Sequence, residues 1–591
     1  MKKILFLSCI CLLALTCLFA CNKEPIAPAD TLMADTVDTV TQDQGQTENV
    51  EYLNVVADKS TDFKIILSKD ASKNDYSYSL TFDMQKKIKS LTGANLSVVD
   101  DWVKEGTDTT DTFEIVIGDC DRQVVADNRG AFGEAQYGYK VVGNKIFIYG
   151  WNESSLSAAI DLFTSALTKN YDRESKTLRF AVDTDVKKTN EDWRVDIPKL
   201  DDNGYDGYIC SGMDNLLYYY NDTTVQQYNA YVEGLLAEGY EMIYKNQIGE
   251  NLFGCYKNSQ KDTLLYASYI PCEKATRITT APLSKTNFIN DSEQPKLTET
   301  KIVQMGLDYG NQNSGMCYVI RLEDGRFIIY DGGGNASEDH KKLYELLESM
   351  NERQDGIHIA AWVITHEHWD HYANWVKFCN TYGKDVTVEY LIANVPDYAM
   401  AYYSNSDPDE NGVTYSSVIE GQLAGLQNKV NGGMKLIIPQ AGQNIKLGNC
   451  NIEILYTHSD LYPTDIESLN NASLVTRVSF GEGKKTMIFL ADIENDGSQV
   501  LIKRYGSLLK SDYCNFAHHG FWDAPIELYE LIDPSVLFWS YDKASADSMV
   551  DGTVNKDGGR HNYLLYRNWY VLNSLNVQRV LYGDTTNEIL P

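Results

Sequence analysis

One short stretch limits what this chain can be. Thr365-His366-Glu367-His368-Trp369-Asp370-His371 gathers three of the nine histidines and an aspartate into six consecutive positions, 366–371. The run Ile357 to Ile364 before it is mostly apolar and reads as a buried strand. Groups at the carboxyl end of a buried strand stand where open α/β sheets place their sites. Imidazole and carboxylate are ordinary ligands for zinc and similar divalent ions. In a tight turn after the strand, His366 and His368 are expected to face one ion. Asp370 and His371 then face a second, about 3.5–4 Å away, the separation of two-metal sites. A lone histidine would be read as a loop residue bonded to backbone; this spacing is read as a metal centre.

The rest of the composition sets bounds. A chain of 591 residues is too long for one ordinary domain. With 43% hydrophobic and 23% charged residues it is globular in type. Its 83 acidic and 52 basic side chains leave a net charge of −31. Such a chain repels polyanions unless a local patch compensates. Stable nucleic-acid binding is therefore not expected, although cutting a phosphodiester held by metals is not excluded. Of the 12 cysteines, Cys9, Cys11, Cys17 and Cys21 open the chain, and the others are scattered without a C-x-x-C pair. That is neither a zinc-finger spacing nor a small disulfide scaffold.

Residues 1–21 read as a signal peptide: Lys2 and Lys3, then the apolar Ile4 to Phe19. Leu18-Phe19-Ala20-Cys21 resembles a bacterial lipobox, which implies lipidation of Cys21 and attachment to a membrane surface. No later segment has about 20 unbroken apolar residues, so no second span is expected. Residues 22–50, poor in large apolar side chains, read as a disordered tether.

Residues 51–190 read as a small α/β unit. Its Glu114-Ile-Val-Ile-Gly-Asp119 stretch, the hairpin strand Ile146 to Gly150 and the helix from Ser154 resemble the small domain in front of several secreted glycoside hydrolases. That resemblance implies a polysaccharide-rich surface. Residues 196–295 read as a helix followed by short strands, an α+β unit with a helix on an antiparallel sheet. Its tyrosines are candidates for stacking on sugars, against their ordinary fate as core and surface residues.

From residue 297 strands end in acids and histidines. Phe327 to Tyr330 runs into Asp331-Gly332-Gly333-Gly334, and Thr486 to Ala491 runs into Asp492. An acid at the end of an apolar strand is what a carboxylate bridging two ions requires. Asp512 to Ala517 leads into His518-His519-Gly520. His458 lies between the signature and Asp492, and His561 precedes a helical pattern. Asp397 to Thr414, polar and rich in tyrosine, is a candidate substrate loop.

Together these stretches resemble the metallo-β-lactamase superfamily of hydrolases. The order Asn470-Asn-Ala-Ser-Leu-Val475, apolar strand, Asp492, helix, His518-His519-Gly520 is similar to the hydrolase domain of the bacterial DNA-uptake competence channel and its secreted relatives. The expected class is α/β with α+β parts: a C-terminal αββα sandwich over 297–591, preceded by two small α/β units. The resemblance implies His366, His368, Asp370, His371, Asp492 and His518 as metal ligands, with Asp331 supporting the metal loop from behind. His518 is the first choice for the last ligand, with His519 facing substrate or filling a coordination site. Asp370, His519 and His561 are the candidate catalytic groups, His561 as a phosphate binder or proton donor. A histidine position of the superfamily is unfilled; His458 or Asn470 and Asn471 stand nearest. Ala373 and Asn374 replace two glycines of the family, a change expected to affect helix packing more than chemistry.

The expected function is a cell-surface hydrolase using water activated by one or two divalent ions, Zn2+ first and Mn2+ second. Its substrate is expected to be a small-molecule or cell-wall-linked phosphodiester. The alternatives are a lactone or β-lactam hydrolase, or a surface protein that binds glycan without catalysis.

Overall fold

The computed structural model describes residues 51–591 other than 70, 72–75, 105, 133–135, 151–152, 190–196, 201–204, 212–214, 293, 309–314, 335–337, 397–415, 465, 467, 482–484 and 522–523. The expected leader with Cys21, the tether and the loop Asp397–Thr414 lie outside the described residues.

Two seven-stranded sheets face each other in the C-terminal half. The first holds β1 (Lys301–Gln304), β2 (Cys317–Arg321), β3 (Phe327–Asp331), β4 (Ile357–Val363), β5 (Val386–Ile392) and β6 (Lys435–Ile437). The second holds β7 (Asn444–Leu447), β8 (Cys450–Tyr456), β9 (Val475–Phe480), β10 (Lys485–Phe489), β11 (Tyr513–Asn515), β12 (Val536–Trp539) and β13 (Arg579–Tyr582). A last strand, β14 (Asn587–Ile589), returns to the first sheet and pairs with β1. The orders are β6-β5-β4-β3-β2-β1-β14 and β7-β8-β9-β10-β11-β12-β13. In each sheet an antiparallel hairpin, β2–β3 or β9–β10, continues into strands parallel to its second arm.

The inner strands of the parallel halves, β3, β4, β11 and β12, are buried almost throughout on both faces, which is why they read as continuous apolar runs, while the edge strands β6 and β13 are partly exposed. Between the sheets, Tyr318, Tyr330, Phe489 and Phe538 form the core, with Tyr330 stacked on Phe489 at 3.8 Å between ring centres. Outside the first sheet lie helices α1 (Asp339–Met350) and α2 (Trp369–Tyr382), burying Leu343, Leu347, Trp375 and Phe378. Outside the second lie α3 (Asn495–Tyr505), α4 (Ile526–Ile532) and α5 (Arg560–Ser574), burying Leu501, Leu528 and Val571. This is an αββα sandwich. Asn374 explains the departure from two glycines: its amide donates to Gly332 O at 2.8 Å, tying α2 to the turn after β3.

The front of the chain has a six-stranded mixed sheet, whose strands Lys64–Leu67, Glu114–Ile117 and Lys145–Gly150 run parallel beneath the helices Tyr76–Thr92 and Glu153–Asn170. Next comes a six-stranded antiparallel sheet between Tyr205 and Pro282. The helix Val225–Ala237 lies on it, started by a capping box between Thr224 and Gln227. The strands Tyr205–Ser211 and Asn215–Tyr220 had no clear alternation to announce them. Tyr218, Tyr220 and Tyr256 of the sheet and Tyr228 of the helix are core residues between the two, so these four offer no surface to a sugar. Seven cysteines, Cys120, Cys255, Cys272, Cys317, Cys379, Cys450 and Cys514, are free thiols. Among the described residues no helix is long and apolar enough to cross a membrane.

The antiparallel sheet is bound into the sandwich. Phe253 fills the space over Gly442, where an added Cβ would lie 2.0 Å from its ring. Arg504 of α3 bonds Glu273 and Asp460, each at 2.6 Å, and Arg277 donates to the carbonyls of Ser459 and Tyr462. Burial alone would raise the Glu273 carboxyl, but the guanidinium groups of Arg504 and Arg277 outweigh it and hold it at about 2, against 4.5 ordinarily. A depressed carboxyl stabilises the fold above its unfolded value and stops doing so as pH falls through the folded one. Glu273→Gln is therefore expected to lower the melting temperature above pH 4.5 and to lose less stability than the parent between about pH 4.5 and 2. A calorimetric pH series measures this, and parallel curves across that window would refute the assignment.

Candidate metal centre

The parallel halves of both sheets end at one edge of the sandwich, and their ends supply the candidate groups. β3 ends at Asp331, whose backbone takes φ 54°. β4 delivers the signature turn. β10 leads through Ala491 (φ 49°) into Asp492, and β11 leads into His518 and His519 (φ 46° and 55°). Residues other than glycine seldom adopt such angles, which cost on the order of 1–3 kcal/mol each and persist where surroundings over-determine them. The surroundings are backbone stitches. Leu474 N donates to Thr365 O at 2.8 Å, joining the two sheets at this edge, and His518 N donates to Ala491 O at 3.0 Å. Asn515 Oδ1 accepts from Leu490 N at 2.6 Å and so fixes β10 beside β11.

Two sets of side chains converge there. His366, His371 and Asp492 form one, Asp370, His371 and His519 the other, with the ligand atoms of each set within 4.8 Å of one another. Asp492 Oδ2 lies at the centre: His371 Nε2 is 3.1 Å away, His519 Nε2 3.2 Å, His518 Nε2 3.8 Å and His366 Nε2 3.9 Å. His519 Nε2 is also 3.5 Å from Asp370 Oδ2. His366 Nε2 and His368 Nδ1 face each other at 3.1 Å. Asp331 stands behind, with Oδ2 2.8 Å from His371 Nδ1 and its carboxylate accepting from Thr365 N and Oγ1 at 2.9 and 3.0 Å. A carboxylate behind a ligating histidine fixes the ring's tautomer and direction.

The charges fit a bound cation. Burial alone would depress the His371 imidazole, yet Asp492, Asp331 and Asp370 outweigh it and hold it well above the ordinary histidine range. His519 behaves alike: against burial, Asp492 and Asp370 raise it to about 9. His366 goes the other way; burial, with His371 and His368 adding to it, keeps it neutral. The protons on His371 and His519 thus stand where a divalent ion would stand, and binding one displaces them. Asp492 Oδ1 is buried with no hydrogen-bond partner, an orphan that a buried carboxylate seldom leaves. A ring of imidazole nitrogens around one carboxylate, with its other oxygen unmatched, is a donor set suited to zinc and its neighbours.

The structure brings His366, His368, Asp370, His371, Asp492 and His519 together, with Asp331 behind them. It assigns the histidine pair differently from the expected order. His519 belongs to the second set, because its Nδ1 is held 2.9 Å from Ser540 Oγ at the end of β12 and its Nε2 turns inward. His518 falls outside both sets: its Nε2 is 3.8 Å from Asp492 Oδ2, but its Nδ1 is 3.3 Å from Glu494 Oε1, and Asn470 Nδ2 donates to the same oxygen at 3.0 Å. His458 joins neither set. Its Nε2 is 3.0 Å from Asn394 Oδ1, and burial depresses the ring to about 3, so it is a neutral brace between two loops. Asn470 Oδ1 is buried and has no partner. His561 is exposed at the start of α5, and among the described residues no hydrogen bond or ion pair ties it to the cluster. Sequence reasoning missed Ser540 and Glu494. Ser540 carried the same signal as Asp331 and Asp492, a polar residue closing an apolar strand.

Residues 310–425 match the family model described as Metallo-beta-lactamase superfamily, so the chain carries a domain of that superfamily. Among solved structures, the metallo-beta-lactamase fold protein YhfI from Bacillus subtilis is 12% identical over 49% of this chain and 99% of its own, with a TM-score of 0.28. The short form of human tRNase Z is 13% identical over 49% and 99%, with a TM-score of 0.24. CmlA, a diiron beta-hydroxylase from Streptomyces venezuelae, is 12% identical over 50% and 55%, with a TM-score of 0.26. No curated protein matches the chain.

The histidine pair gives a direct test. His519→Ala is expected to lower bound divalent metal by at least about tenfold in affinity. His518→Ala should leave the amount bound near the parent level. Metal analysis after dialysis against limiting zinc reads both, and the opposite ranking would restore His518 as the ligand.

Proposed function

We propose that this protein is a metal-dependent hydrolase held by a lipid on Cys21 at the outer face of a bacterial membrane, cleaving a small or cell-wall-linked phosphodiester. The observation that carries the hydrolase reading is the Asp492 carboxylate, shared by histidines from both sheets with one oxygen unmatched. His366, His368 and Asp492 would hold one ion, and Asp370, His371, His519 and Asp492 a second. A divalent ion there, zinc or manganese, supplies Lewis acidity towards a phosphoryl oxygen and lowers the pKa of water.

The chain's own groups do the rest. Asp331 and Ser540 keep the His371 and His519 rings aimed at the cluster. His518 keeps 14% of its side chain exposed, against 2% for His519. Glu494 Oε1, 3.3 Å from His518 Nδ1, would orient the ring so that Nε2 serves as acid or base at the reacting group. The buried walls exclude water behind the ligands, where electrostatic stabilisation of developing charge is strongest.

The phosphodiester is favoured by the resemblance of the Asn470 to Gly520 order to competence-channel hydrolases. The net charge of −31 favours small or wall-linked esters over long DNA. The core placement of Tyr218, Tyr220, Tyr228 and Tyr256 weakens the glycan-binding alternative.

Zinc-loaded protein is expected to hydrolyse bis(p-nitrophenyl) phosphate. His366→Ala and Asp492→Ala should each lose at least about a hundredfold in rate, the scale of several kcal/mol of metal-ion stabilisation. Turnover of a lactone or a cephalosporin, without the phosphodiester, would replace the substrate class. Loaded protein inert on all three would remove the hydrolase reading. In cells, Cys21→Ser is expected to move the protein from the membrane fraction to the soluble one; unchanged partition would remove the lipid anchor.

A further inference from the structure

Helix α5 brings Arg567 and Asn568 to the back of the histidine turn. Both side chains are fully buried. Arg567 Nη2 donates to Gly520 O at 2.6 Å, Nη1 donates to Ala524 O at 3.2 Å, and both reach Phe521 O at 3.3 Å. Asn568 Nδ2 donates to Gly520 O and to Met549 O, each at 3.0 Å. Its Oδ1 accepts from Arg567 Nε at 3.0 Å and Nη2 at 2.8 Å, which fixes the amide's orientation.

The carbonyls of Gly520, Phe521 and Ala524 belong to the chain leaving the site; that of Met549 closes the helix Lys543–Ser548. His518, His519 and Gly520 take φ of 46°, 55° and 83° in succession. The carbonyl of His519 accepts from Trp539 Nε1 at 2.7 Å, and an added Cβ on Gly520 would lie 2.8 Å from the same indole. Three consecutive left-handed residues, two of them not glycine, persist only where their surroundings leave no alternative. Returning His519 to an ordinary φ would swing its ring away from Asp370 and Asp492. The planar fork of a guanidinium can hold several carbonyls in one fixed geometry, as an ammonium cannot.

We propose that Arg567 and Asn568 are positioning residues of the metal centre. They lock the His518–Gly520 backbone, so that His519 Nε2 faces Asp370 and Asp492. The inference rests on reading that cluster as a metal centre, and its test keeps the two apart. Cobalt(II) titrated into the full chain reports affinity by the growth of its visible bands and ligand geometry by their position. Arg567→Lys and Asn568→Ala are expected to weaken binding about 10–100-fold and to shift the bands. Arg326→Lys is the control: it alters another buried guanidinium of the sandwich, paired with Asp324 and Asp291 at 2.7 and 2.8 Å. It should lower the melting temperature without changing affinity or bands.

If both Arg567→Lys and Asn568→Ala fold and bind cobalt as the parent does, the positioning role is overturned while the metal centre stands. If Arg567→Lys does not fold, Asn568→Ala decides alone. A parent protein that binds no cobalt would overturn both this inference and the reading beneath it.

Discussion

A carboxylate taken out of water costs several kcal/mol unless positive groups or donors surround it, and Asp492 meets that cost with imidazoles contributed by both sheets. Neither sheet alone has enough of them. The two edges must therefore stay in register, and the bond from Leu474 N to Thr365 O joins them beside the histidines. The ring stack of Tyr330 on Phe489 fixes the sheets' separation further down the same strands. Packing in the core and chemistry at the edge are thus one problem.

The antiparallel sheet before the sandwich belongs to that problem too. Its Glu273 and Arg277 share buried charges with Arg504 and Asp460, and Asp460 lies in the turn after β8. Its Asn251 amide donates to the carbonyl of Arg504 at 2.9 Å, at the end of the helix that starts three residues after Asp492. The sheet is a wall of the sandwich rather than an appendage beside it.

Much of this was legible beforehand. Parallel strands buried on both faces must be written as unbroken apolar runs, so β3, β4, β10 and β12 announced themselves. Asp331 and Asp492 stood out because an acid after such a run has few structural uses. The choice between His518 and His519 was not legible. Both neighbours reach towards Asp492, and which of them joins Asp370 and His371 is decided by their contacts with Ser540 and Glu494, more than 20 residues away in each case. His458 misled for the same reason: its partner, Asn394, lies two residues beyond the end of β5 in the other sheet. Arg567 and Asn568 were hidden inside an ordinary helical pattern, while His561 drew attention because histidines are few. The tyrosines met their ordinary fate, since an aromatic ring with a hydroxyl suits a core at least as well as a sugar.

The strand orders carry a last consequence. Each sheet repeats one programme: a hairpin whose second arm ends in an aspartate, then a parallel neighbour that ends in histidines. By topology Asp331 and Asp492 occupy the same station in two related halves. Only one of them faces the histidines from the front; the other stands behind and grips a ring by its far nitrogen. The symmetry of the scaffold is broken at its most chemical position. Four of the candidate ligands come from six residues of one half, while the other half gives single residues from separate strands. The first half is a compact cassette. The second is a scattered frame that sets where the cassette's contents point.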